Sequence, residues 1–289
     1  MLYEYAFAPF FDYAFMRRAL IACVALALGG APLGVFLVLR RMTLMGDAIS
    51  HAILPGASLA FLLYGLSLWP MALGGLAAAL LVALVAGAIA RYTQLKEDAS
   101  FTGAYLLSLA VGVILISARG NSIDLMHVLF GNVLAVDSQS LFMISGITTV
   151  STLALALIYR SLIVECFDPG FLQSVRGHGG WVQQLFLALV VLNLVSAFQT
   201  LGTLMALGIM VLPSIAARFW TRDIDYTLAL SVALAIGSSY IGLLLSYHVN
   251  VPSGSAIVMT AGGFYLFSVL FGRYGSLTAH LRPHHHFTS

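Results

Sequence analysis

The stretch RRMTLMGDAISHAILPG, residues 40–56, sets Asp47 and His51 four positions apart in an otherwise oily segment. Positions i and i+4 of an α-helix share a face, so a carboxylate oxygen and an imidazole nitrogen can point at one object. That donor pair suits zinc, and mixed oxygen and nitrogen ligation also suits manganese or iron. Two ligands do not close a site by themselves. Pro55 lacks the N–H that would bond the carbonyl of residue 51, and with Gly56 it predicts a helix break. Backbone left open at membrane depth is tolerated where it lines a cavity or is buried in protein. Two plainer roles compete. Asp47, after Gly46 and before an apolar run, has the position of an N-cap, and an interior histidine can be satisfied by hydrogen bonds alone.

Other residues with ligand or charge chemistry are scattered. His127 lies in LMHVLFGNVL beside Asp124 and Asn132, and His248 lies in SYHVNVPSG; both are secondary metal candidates, with an interfacial or solvated histidine as the alternative. The tail HLRPHHHFTS carries His280, His284, His285 and His286. Short His-rich tracts can bind metal, yet residues 274–289 read first as a flexible, solvated tail. Cys23 and Cys166 form no CxxC or Cys/His cluster, which argues against a disulfide or thiolate site.

These residues must be positioned by membrane-spanning elements. Of the 289 residues, 61% are hydrophobic and 8% charged, against roughly 25% charged in soluble domains. A helix needs about 20 mostly apolar residues to cross a bilayer, and helices satisfy their own backbone in lipid. Apolar windows fall at 19–39, 48–66, 71–91, 99–117, 139–159, 182–198, 201–218, 227–247 and 255–272. The fold class is therefore all-α: a polytopic integral membrane protein of eight or nine transmembrane helices, at least one of them broken, in a single domain over 1–289.

With nine spans, Arg40, Arg41, Arg91, Lys96, Arg160, Arg176, Arg218, Arg222, Arg273 and Arg282 fall on one side, and only Arg17, Arg18 and Arg119 on the other. The positive-inside rule makes the richer side cytoplasmic, with the C-terminus inside. The polar stretch 161–181, with Glu165, Asp168, Pro169, Arg176 and His178, is then a cytoplasmic segment. Pro169 suits the start of a short surface helix; a solvated connection is the simpler reading. A net charge of +2 without a basic patch does not suggest nucleic acid. The pattern GxxxxGK[ST] does not occur, so the chain carries no Walker A loop.

RRMTLMGDAISHAILPGASLA resembles the signature of the permease (membrane) subunits of bacterial zinc and manganese ABC importers, the ABC-3 type. LMHVLFGNVLAV at 125–136, ECFDPGF at 165–171, LGTLMALGIMVLPSIAARF at 201–219 and VPSGSAIVM at 251–259 agree with it in family order. The resemblance implies a homodimer in the bacterial cytoplasmic membrane, a separate cytoplasmic ABC ATPase, and an extracytoplasmic metal-binding protein that delivers the ion. It implies that Asp47 and His51 line the metal route beside the break at Pro55 and Gly56, and that Glu165, Asp168 and Pro169 couple to the ATPase. The chain would be a transport subunit and not itself an enzyme, with no permanently bound cofactor. Its cargo would be Zn2+ first, Mn2+ next. A secondary metal transporter driven by an ion gradient is the competing class.

Overall fold

The computed structural model describes residues 7–65, 67–93, 95, 97–117, 133–167 and 180–277. His127, Asp168, Pro169, Arg176, His178 and the histidines of the tail lie outside them. The described residues form helices α1 (Ala8–Asp12), α2 (Ala14–Leu39), α3 (Thr43–Ala52), α4 (Leu54–Tyr64), α5 (Leu68–Tyr92) and α6 (Glu97–Ser117), then a 3₁₀ turn at Val133–Ala135. They continue with α7 (Ser138–Phe167), α8 (Gly180–Leu201), α9 (Thr203–Arg218), α10 (Ile224–Val249) and α11 (Ser253–Phe271). The chain is a multi-pass membrane protein. Every apolar window falls on a helix, but seven helical segments, with α3 and α4 counted as one, are long and apolar enough to span a bilayer. The stretches 99–115 and Leu204–Arg218, in α6 and α9, are shorter.

The interior is apolar, but large apolar side chains also cover the outside and small hydroxyl residues are buried among the helices. Leu157 and Phe142 are 87% and 79% exposed, while Ser214, Ser231, Ser238 and Ser239 are fully buried. In lipid there is no hydrophobic drive between helices, so van der Waals packing, including close approach at small residues, holds the bundle. The buried hydroxyls bond carbonyls of their own helix, as Ser238 and Ser239 do to Ala235 O, which removes the cost of an unpaired polar group. At the crossing of α2 and α9, a Cβ at Gly34 would lie 1.8 Å from Met210 O, and Ser214 Oγ donates to Ala31 O at 3.0 Å. The backbones touch there.

The helix ends sort into two groups. Val35 and Leu39 of α2, Phe167 of α7, Arg218 and Arg222 flanking the α9–α10 turn, and Tyr274 after α11 line one cleft of about 440 Å³. At the other end, the Tyr13 and Tyr247 rings lie 5.7 Å apart, and Arg18 acts on Asp137.

The turn between α2 and α3 is tight. Met42 N–H bonds Leu37 O and Arg41 N–H bonds Val38 O, the two bonds of a Schellman motif. Its left-handed position is held by Arg41 (φ 59°) where glycine is usual.

Candidate functional site

The closed turn lets α3 start at Thr43, with Met42 as N-cap residue, so Asp47 sits one turn inside the helix. It does not cap. Asp47 and His51 share a face, with His51 Nε2 3.7 Å from Asp47 Oδ1, and their side chains are 59% and 43% exposed. Met45, Ala48, Ile49 and Ala52 pack inward on the same helix. The polar pair therefore occupies the side of α3 that the subunit itself leaves open.

The interruption after the pair falls at Ile53, with Pro55 in the first turn of α4, where its missing N–H costs least. Ile53 keeps helical dihedrals (φ −67°, ψ −30°), and Ala57 N–H resumes the ladder on Ile53 O. The segment loses hydrogen bonds without turning into extended chain. Neighbouring helices back this joint closely. A Cβ at Gly112 of α6 would lie 3.1 Å from Pro55 N, and one at Gly56 would lie 1.9 Å from Gly74 O of α5. Ser108 of α6 reaches Ala52 O at 3.4 Å.

Helix α6 supplies the site's second wall. The Tyr105 ring stacks with the His51 imidazole at 6.2 Å between centroids and 25° between planes. A cavity of about 110 Å³ lies beside Asp47, lined also by Leu44, Met45, Phe101, Thr102 and Tyr105. Sequence reasoning missed Tyr105 and Ser108, because an aromatic and a serine in an apolar helix carry no ligand signature. Among the described residues, no group of three or more His, Cys, Asp or Glu side chains comes together to hold a metal. His248, the other described candidate, is exposed in the last turn of α10 against Tyr247.

Glu165 has a different setting from the one expected of a polar cytoplasmic stretch. Residues 161–167 are the last turns of α7, and Gly180 already opens α8. Glu165 points into the bundle, with its carboxylate Oε1 3.3 Å from Arg40 Nη2 and the two side chains 6% and 11% exposed. The Arg40 guanidinium also lies over the Phe186 ring of α8, 5.8 Å from its centroid.

Residues 12–272 match the ABC 3 transport family. The chain belongs to that family. The manganese import system permease protein ScaB of Streptococcus gordonii is 33% identical over 257 residues, 89% of this chain and 91% of that protein. The manganese transport system membrane protein MntC of Halalkalibacterium halodurans is 32% identical, covering 94% of each chain. The solved structure titled PsaBC from Streptococcus pneumoniae in complex with Fab aligns with a TM-score of 0.83 at 30% identity, over 98% of this chain and all of that one. Membership of the ABC 3 transport family carries the permease architecture, and the resemblance read from five motifs holds across almost the whole chain.

Proposed function

We propose that this chain is the permease subunit of an ATP-binding-cassette importer that moves a divalent transition metal ion across the bacterial cytoplasmic membrane. The carrying observation is the Asp47–His51 pair, set on the open side of a helix inside an apolar bundle. Ionisable groups are costly inside a membrane and face bundle interiors, water-filled cavities or one another. An oxygen and a nitrogen donor 3.7 Å apart are suited to ligating one divalent ion together.

In this reading the nine helical segments make nine crossings, which puts the arginine-rich ends and the C-terminus in the cytoplasm. The permease acts as a homodimer with the metal path between its subunits. A separate ATPase engages the cytoplasmic segment around Asp168 and Pro169, and an extracytoplasmic metal-binding protein delivers the ion. Zinc and manganese both suit the donors. The His-rich tail favours zinc, and relatives named for manganese favour manganese. Transport requires that the pair bind the ion more tightly in one conformation than in the other, since equal affinity shifts nothing.

Reconstitution with the ATPase and binding protein, followed by ATP-dependent uptake of each metal, tests the reading. Asp47→Ala and His51→Ala should each lower uptake by at least about 10–100-fold, the loss typical of removing even an outer-shell partner, with assembly intact. Unchanged uptake in both variants would remove the pair from the route. Uptake by the chain alone, driven by an ion gradient, would instead make it a secondary transporter.

A further inference from the structure

The buried Arg40–Glu165 pair joins two elements far apart in sequence: the C-cap of α2 and the last turn of α7. Buried ion pairs are poor sources of stability, because desolvation offsets most of their attraction and apolar replacements are often neutral or better. This pair is poorer than most, since Arg40 Nη1 is buried with no hydrogen-bond partner among the described residues. Its value must lie in what it connects.

Arg40 is immediately followed by the left-handed Arg41 and then by Met42, whose N–H closes the turn on Leu37 O. Helix α3 starts at the next residue, and Asp47 comes one turn later. This turn has no slack: three consecutive N–H groups, from Arg40 to Met42, are bonded back to α2. The base of α3 is thereby tied to the end of α2 that carries Arg40. On the opposite side of the pair, Glu165 lies two residues from the end of α7, where the chain enters the segment assigned above to ATPase coupling.

We infer that Arg40 and Glu165 are positioning residues that couple the cytoplasmic end of α7 to the helix bearing Asp47 and His51, and that Glu165 acts inside the permease instead of as an ATPase contact. A rigid-body shift of α7 then reaches the ligand pair through the ion pair and the Schellman turn, one of the ordinary routes of a conformational switch. The inference rests on the proposed importer reading.

The test compares wild type, Glu165→Gln, the apolar pair Arg40→Met/Glu165→Met, and the reversed pair Arg40→Glu/Glu165→Arg in proteoliposomes with the ATPase. The readouts are metal taken up per ATP hydrolysed, ATPase co-purification, and thermal midpoint. The apolar pair removes both charges together, so it should fold and retain the ATPase. Its uptake per ATP should nonetheless fall about tenfold, within the usual range of coupling between sites. Glu165→Gln should show the same defect, and the reversed pair should recover part of the ratio. A normal ratio in the apolar pair would reduce the ion pair to a stability element and overturn the inference. Loss of ATPase binding in Glu165→Gln, with the thermal midpoint unchanged, would overturn it in the other direction by making Glu165 a docking contact. Asp47→Ala runs alongside: normal uptake there would sink the metal-route reading itself, independently of the pair.

Discussion

Stacking on Tyr105 leaves the Nε2 edge of His51 turned toward Asp47. An imidazole that ligates an ion becomes electron-poor, and the face of a phenol ring is electron-rich, so the contact should strengthen as the ion binds. Aromatic pairs of this kind contribute about 0.5–1.5 kcal/mol beyond their buried area. Tyr105→Leu should therefore weaken metal binding by about 2- to 12-fold, while Tyr105→Phe keeps the ring and should bind as wild type. Isothermal titration of the purified permease distinguishes the two. Equal losses in both variants would shift the role from the ring to the hydroxyl. Asp47 and His51 were legible in the sequence because four-residue spacing puts both groups on one helical face. Tyr105 was not, since its meaning depends on a ring presented by another helix.

At the level of elements, the turn between α2 and α3 carries a conformational cost. A non-glycine residue in the left-handed region costs roughly 1–2 kcal/mol, and Arg41 occupies that position exposed to solvent. Arg41→Gly should raise the thermal midpoint in detergent, with a gain of about 1 kcal/mol; a fall would show that the side chain makes contacts that outweigh the strain. The turn was hidden in the sequence because Schellman motifs are recognised by Gly or Asn. For the same reason Asp47 looked like a capping residue until the helix was seen to begin at Thr43.

Helix α7 begins on a visible device. Ser140 N–H donates to Asp137 Oδ1 at 2.8 Å, and hydrogen bonds from the Ser140 side chain and backbone, with a smaller pull from Arg18, hold the Asp137 carboxyl below its ordinary range. A depressed folded value means the stabilisation is complete above the unfolded pKa, about 3.9, and is lost as pH falls through the folded value. Asp137→Ala should cost about 1 kcal/mol at neutral pH, and the difference from wild type should close in acid below pH about 4. Unfolding midpoints measured against pH check both. The end of α7 was harder to read: a glutamate after an apolar run suggests a solvated loop, and nothing near residue 165 announces an arginine 125 positions earlier.

Taken as a metal site, the pair is unfinished in the single chain. It offers one carboxylate and one imidazole, whereas zinc takes about four donors and manganese commonly about six, and no third such group joins them among the described residues. The open side of α3 continues along α4 into an apolar cleft of about 920 Å³ that starts at Pro55 and Gly56 and runs between α4, α5 and α6. Lipid could fill the cleft, but hydrocarbon does not solvate a carboxylate such as Asp47. In the proposed homodimer a two-fold axis would set this patch against its own copy, bringing two carboxylates and two imidazoles to one ion. Purified permease should then bind one ion per two chains, and mixed dimers with a single Asp47→Ala subunit should lose high-affinity binding as fully as the doubly substituted protein. One ion per chain, or half the sites surviving in mixed dimers, would show each subunit completing its own site. Composition and hydropathy disclosed the bundle that carries these groups, but they do not choose a partner for its open face, because a lone chain's pattern is the same whether that face meets water, lipid or its own copy.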